Sequence, residues 1–211
     1  MPTPEKTLPN RESFQRGYEG RPAWDIEGPQ PNLVTIADRI TGTLLDAGCG
    51  TGENALFFAS RGCSVTGFDF LSAPVQRAKE KAAIRNLDVT FLVKDALTLK
   101  DTPPEWSAKF DHAIDSGLFH VFSDADQQKY IAGLHRVLKP GGHLYLLCFS
   151  DAEPGVQGPR RIPKQLLLDQ FAEGWKMESI TATHFGVRNE FRGEVYSKEG
   201  PHAWFAIVRK M

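Results

Sequence analysis

The chain has 211 residues, 41% hydrophobic and 24% charged, with a formal net charge of −1. That is enough for one domain with a full core and has the balance of a soluble globular protein. No Lys/Arg block marks a nucleic acid or an anionic membrane as a partner, no apolar run approaches the ~18 residues of a spanning helix, and the polar, proline-rich start does not read as a signal peptide.

Residues 1–10 carry no pattern and read as a loose tail. In the stretch RESFQRGYEGRPAWDIEG, residues 11–28, Phe14 and Tyr18 share one helix face, and Trp24 follows. Lying ahead of the first core strand, these rings cover either the domain's own flank or a ligand. Residues 32–39 read as a helix. The stretch Leu44 to Leu71 organises the rest: a buried strand Thr43–Ala47, a turn Gly48–Gly52, a helix 53–61 and a second strand 64–68 ending in Asp69. Glycines at 48, 50 and 52 let the backbone turn sharply and approach a ligand. The helix N-terminus adds free N–H groups, and Asp69 is placed to accept both hydroxyls of a ribose. This is a nucleoside-binding βαβ unit. A dinucleotide fingerprint would need glycine at position 53, where Glu53 stands, and no Lys-Ser/Thr follows as a P-loop requires.

Ser72 is read as the N-cap of a helix to residue 85, and 88–93 as a third strand ending at Lys94-Asp95-Ala96. Residues 97–109 form an irregular crossover, and 110–115 a fourth strand whose exit carries Ser116 to His120. His120 has two readings: a proton acceptor near neutral pH, or a ring packed at a helix start. Ser123 or Asp124 caps a helix to Leu138, stopped by Lys139-Pro140-Gly141-Gly142 ahead of a fifth strand, 143–150. The loop 151–163 is long enough to suspect function. Its Arg160 and Arg161 contact an anionic or electron-rich substrate or a ligand carboxylate, or are simply solvated. A helix 163–171 and strands 175–185 and 202–208, joined by a polar connection at 190–200, complete an α/β chain. The three cysteines, Cys49, Cys63 and Cys148, read as small buried thiols of a reducing cytosol.

The pattern D-x-G-x-G-x-G with an acid after the second strand, together with the LKPGG turn, resembles the class I S-adenosylmethionine methyltransferases. The string PAWDIEGPQPNLV, residues 22–34, is similar to a segment of the thiopurine and halide/thiol enzymes, and the chain resembles that group and the heterocyclic-toxin methyltransferases. The resemblance implies a Rossmann-like, seven-stranded, mostly parallel sheet with an antiparallel last strand, helices on both faces and an N-terminal helical lid. It implies a single domain over 11–211: lid 11–31, cofactor core 43–150, substrate loop 151–163, and C-terminal helix and hairpin 164–211. The implied cofactor is S-adenosylmethionine, leaving S-adenosylhomocysteine. It would be held by Trp24, Asp46, Gly48, Gly50, Thr51, Gly52, Asp69, Phe70, Asp95, Ala96 and Ser116, with Asp46 near the ammonium and Asp95 with the Ala96 N–H at the adenine. Phe14, Tyr18, Phe119, Phe122 and Arg160 would face the substrate, with His120 as a general base. The expected acceptor is an S, O or N atom of a small aromatic or heterocyclic molecule, in detoxification or secondary metabolism. A halide or small thiol is the alternative acceptor, and a non-catalytic cofactor-binding protein or a nucleotide-dependent oxidoreductase the rival class. No metal, nucleic acid or membrane is expected, and the protein is expected to be a cytoplasmic monomer.

Overall fold

The computed structural model describes residues 10–211; the tail expected over 1–10 lies almost wholly outside them. The elements run α1 (Arg11–Glu19), α2 (Pro31–Val34), β1 (Thr43–Ala47), α3 (Glu53–Ser60), β2 (Ser64–Asp69), α4 (Ser72–Ile84), β3 (Val89–Val93), β4 (Phe110–Ser116), α5 (Asp124–Val137), β5 (Leu138–Phe149), α6 (Lys164–Gln170), β6 (Trp175–His184) and β7 (His202–Lys210). Short 3-10 turns fill the connections.

The strands form one sheet in the order β3-β2-β1-β4-β5-β7-β6. β1 to β5 pair in parallel, and β7 inserts antiparallel between β5 and β6. This is the sheet implied by the resemblance. The reversal of order at β1 and β4 opens a crevice at the carboxyl ends of the strands, where ligands of such sheets bind.

Alternation along the strands divides the core. Leu44 and Ile114 join Leu56 and Phe58 of α3 and Val75 and Ala78 of α4 on one face. Leu45 and Ala113 join Tyr130 and Leu134 of α5 and Leu167 of α6 on the other. Successive strand residues point to opposite faces, so both faces are apolar and both need helices.

Three local expectations change. The helix expected over 32–39 is two short pieces, α2 and a 3-10 turn Ala37–Arg39. Ser72 is the first helical residue of α4; Leu71 occupies the cap position, with no side-chain cap. The LKPGG run lies inside β5, which starts at Leu138 and bulges against β4 between Phe110 and His112.

Gly52 has φ +85, and a Cβ there would sit 2.8 Å from the Ala78 Cβ and 2.9 Å from the Phe91 ring. The turn is thus wedged against α4 and β3. Beneath it, on adjacent strands, lie Asp46 and Asp115, each 1% exposed. Burial pushes Asp46 from 3.8 up to about 7, opposed by the Ala55 N–H. Burial likewise pushes Asp115 up to about 6, although its carboxylate accepts the N–H groups of Leu118 and Phe119.

Two predictions follow from this wedge and this pair. Gly52→Ala is expected to lose about 2–4 kcal/mol, combining left-handed strain with overpacking, read as a lower urea midpoint. Unchanged stability would mean the turn has room to spare. For Asp46 the folded state binds more protons than the unfolded state between its unfolded value near 4 and about 7, so stability falls as pH rises through that window. Asp46→Asn removes this dependence. Its melting temperature should exceed wild type at pH 8, with the gap closing by pH ~5. A gap independent of pH would refute the buried ionisation.

Candidate functional site

A cavity of about 890 Å³ opens at the carboxyl ends of β1, β2 and β4. At one end are the glycine turn, Asp69, Phe70, Asp95 and Ala96. At the other are Leu118, His120, Phe122, Phe149, Phe185 and Tyr196.

The turn is held by the acid expected to serve it. Asp69 Oδ2 accepts the Gly50 N–H at 3.2 Å and Oδ1 the Leu71 N–H at 3.0 Å. Burial raises the Asp69 pKa, against the N–H groups of Leu71, Gly50 and Phe70 that favour the charge. A carboxylate offers about four lone-pair sites, so capacity remains for hydroxyls. Asp95 caps the next turn, accepting the Leu97 N–H at 2.9 Å.

α1 lies across this end. An Asn10–Ser13 capping box starts it. Phe14 packs edge-on against Trp24 and Phe70, at 5.9 and 5.8 Å between ring centres. The Tyr18 hydroxyl accepts the Trp24 indole N–H at 3.1 Å and stands 2.8 Å from where a Cβ on Gly50 would be. Burial, then the Asp69 charge, push this phenol's pKa up. Arg77 donates to the Tyr18 carbonyl and Arg11 to that of Phe70. The Thr51 hydroxyl donates to Asp25 at 2.5 Å and accepts from Lys81 at 2.8 Å. Lys81 and Arg85 also bind Glu53 and hold its carboxyl below its ordinary range in spite of burial.

The far end is walled by residues distant in sequence. The buried Glu153 carboxylate accepts from the Ser197 N–H and hydroxyl and from the His202 N–H. Arg161 donates to carbonyls of Glu153, Pro154, Gly155, Gln157 and Pro159 and stacks over Phe149. These two charges brace the loop 151–163 and bring Tyr196 to the wall. Gln30 makes a two-way bond to Gly186, fixing the segment ahead of α2 against the residues that follow β6.

Trp24, Gly48, Gly50, Thr51, Gly52, Asp69, Phe70, Asp95, Ala96, Ser116, Phe14, Tyr18, Phe122 and His120 all line the cavity. Three expected residues do not. Asp46, buried within β1, is not part of the wall. Phe119 is fully buried against Phe171 in the core. Arg160 is spent on the Phe122 carbonyl and on Asp124, both at 2.6 Å; it steadies the start of α5 and does not reach the chamber. The general-base expectation for His120 is also corrected. Its Nδ1 accepts the Phe149 backbone N–H at 2.9 Å, so the neutral ring carries its hydrogen on Nε2. Phe149, Phe185, Val187 and Tyr196 escaped sequence reasoning. Tyr196, one of two aromatics with Phe191 in a polar connection, was the one available signal.

Among the described residues no helix is long and apolar enough to cross a membrane, and no group of three His, Cys, Asp or Glu could hold a metal ion.

A family model described as a methyltransferase domain matches residues 44–142. The chain is 30% identical over 184 residues to a 2-heptyl-1-hydroxyquinolin-4(1H)-one methyltransferase of Mycobacteroides abscessus, covering 81% of this chain and 79% of that one. A solved structure concerned with conversion of a disulfide bond into a thioacetal group during echinomycin biosynthesis superimposes with a TM-score of 0.81 at 36% identity, covering 94% and 92% of the two chains. The fold is also that of Burkholderia thailandensis 1,6-didemethyltoxoflavin-N1-methyltransferase bound to S-adenosylhomocysteine, with a TM-score of 0.73, 22% identity and 95% and 87% coverage. Sheet order, glycine turn and relatives agree: the chain belongs to the class I S-adenosylmethionine-dependent methyltransferases and acts on a small molecule.

Proposed function

We propose that this enzyme methylates an S, O or N atom of a small aromatic or heterocyclic compound by in-line displacement. The observation that carries the reading is the single chamber of about 890 Å³, with an acid and a glycine turn at one end and aromatic rings at the other. In this reading Asp69 takes the ribose hydroxyls, Asp95 and the Ala96 N–H the adenine, and Gly48–Gly52 the amino-acid end. The methyl then faces the rings beyond Ser116. The names of two relatives support heteroaromatic and sulfur acceptors, respectively.

The methyl group is already activated by the sulfonium that carries it. The protein's part is alignment and exclusion of water. Near-attack positioning can supply up to ~7–11 kcal/mol of barrier reduction. Charge is neutralised or dispersed as the nucleophile meets the sulfonium, so a dry apolar wall favours the transition state. Phe14 and Trp24 close one side of the chamber and Phe122, Phe149 and Phe185 another.

Asp69→Asn should bind S-adenosylhomocysteine about 10–100-fold more weakly, the loss of a charge-assisted hydrogen bond, by calorimetry on protein of unchanged circular dichroism. Full affinity would overturn the ribose assignment. Wild type should turn over at least one member of a panel of thiophenols, phenols, N-hydroxy heteroaromatics and azoles. Turnover of iodide and alkyl thiols alone would favour the halide/thiol reading.

A further inference from the structure

We propose that Asp25, in the segment between α1 and α2, receives the α-ammonium of the cofactor's amino-acid end, and that the enzyme therefore discriminates against adenosyl ligands that lack this amine. This rests on the reading of the chamber as the S-adenosylmethionine site, with Gly48–Gly52 at the amino-acid end. It moves to the segment ahead of the sheet a role expected of Asp46, which is 1% exposed and outside the chamber wall.

The position of Asp25 is fixed by bonds whose directions leave no choice. Lys81 Nζ lies 2.8 Å from the Thr51 hydroxyl oxygen, and an ammonium can only donate. Thr51 therefore accepts from Lys81 and gives its one hydrogen to Asp25 Oδ1, at 2.5 Å. The Asp25 N–H bonds the Pro22 carbonyl at 3.0 Å, which pins the backbone as well. The carboxylate is thus tied to α4 through a residue of the glycine turn. Asp25, Gly48, Gly50 and Thr51 all line the chamber. Among the described residues no other hydrogen bond reaches this carboxylate. A carboxylate offers about four lone-pair sites, so Oδ2 keeps its full capacity for a ligand at the turn.

The other acids of the wall are committed elsewhere. Among the described residues these are Glu53, Asp69, Asp95 and Asp126. Glu53 accepts from Lys81 and Arg85 at both oxygens. Asp69 holds the N–H groups of Gly50 and Leu71 and, in the reading above, the ribose. Asp95 caps the turn after β3 through the Leu97 N–H. Asp126 binds Lys129 and Ser123 at the start of α5. Asp25 is the acid that both stands beside the glycine turn and has an oxygen to offer. Lys81 touches it only through the Thr51 hydroxyl, and Glu53 balances the Lys81 charge.

A half-buried carboxylate against an apolar wall is costly until a cation meets it. A ligand ammonium is such a cation, and the N–H···O bonds it forms are charge-assisted. No covalent bond breaks and no proton moves. The amine is present before and after methyl transfer, so the contact serves S-adenosylmethionine and S-adenosylhomocysteine alike. Asp25 is therefore a positioning residue that acts on binding more than on the chemical step. It follows Trp24, which packs on Phe14 and donates to the Tyr18 hydroxyl. A ligand that carries the amine thus ties this aromatic segment to the turn, and one that lacks it does not.

The test pairs one change in the protein with one in the ligand. S-adenosylhomocysteine and its deaminated analogue, 4-(5′-adenosylthio)butanoate, differ only in the amine. By calorimetry, wild type should bind S-adenosylhomocysteine about tenfold or more tightly than the analogue. Asp25→Asn keeps the size of the side chain and an acceptor for Thr51 but loses the charge. It should bind S-adenosylhomocysteine about tenfold more weakly and the analogue within about twofold of wild type. Thr51→Val removes the hydroxyl that orients Asp25 and should show the same selective loss at about threefold. Asp46→Asn should leave the ratio of the two affinities unchanged. The proposal is overturned if Asp25→Asn weakens both ligands alike, which is the mark of a structural role, if it weakens neither, or if the ratio collapses in Asp46→Asn instead. If Asp25→Asn does not fold, an unchanged ratio in Thr51→Val overturns the proposal. Wild type that binds both ligands equally overturns it without any variant. Wild type that binds neither overturns instead the cofactor reading on which it rests.

Discussion

The structure turns on one carboxylate. Asp69 joins the N–H of Gly50 in the turn after β1 to the N–H of Leu71 in the turn after β2, and so fixes the two loops that shape the chamber. Its ionised form is disfavoured by burial, a cost that its backbone donors offset only in part. Because Gly50 has no Cβ, Tyr18 can bring its hydroxyl down onto the turn. Because Tyr18 is there, Trp24 has a partner for its indole N–H. Arg77 of α4 holds the Tyr18 carbonyl from the other side. The α1 segment, the turn and the acid therefore form one unit. A change in any of them would be felt as a loss of both stability and ligand binding.

What the sequence made legible is what local physics encodes. The apolar strand, the three glycines and the acid after β2 lie within 27 residues of one another, and each follows from its neighbours. The alternation of strands and helices follows from periodicity, and the antiparallel β7 from the resemblance. Boundaries set by partners far along the chain were not legible. The Pro140-Gly141-Gly142 run looks like a stop, yet the strand runs through it because β4 lies alongside and Lys139 pairs with Asp111 at 2.7 Å. Gly142 is needed there because a Cβ would meet the Asp111 carbonyl at 2.9 Å.

The site divides in the same way. The end at the glycine turn draws heavily on one stretch, Gly48 to Phe70, whose residues could be read from their neighbours along the chain. Its far wall is assembled across the chain: Arg160 to Phe122, Glu153 to Ser197 and His202, Gln30 to Gly186. Phe119 and Phe122 are indistinguishable as sequence, and only the packing of Phe171 puts the first in the core while the second lines the chamber. An arginine in a loop reads as available until the carbonyls it satisfies are known. Arg160 and Arg161 are both committed to the loop and to the start of α5, which rigidifies a wall that composition alone would assign to solvent.

Most of the charge around the chamber is spent on the protein itself. Asp46 and Asp115, the most deeply buried acids, have their charges disfavoured, and neither lines the chamber. Glu153 and Arg161 are committed to the backbone of the loops they brace. The aromatic wall contributes dryness and shape, and the one imidazole in it is held by the Phe149 backbone N–H. Charge left uncompensated in such a space costs far more than in water. Selectivity then begins with what the wall refuses: a charged ligand must bring its own partner or meet one at the turn.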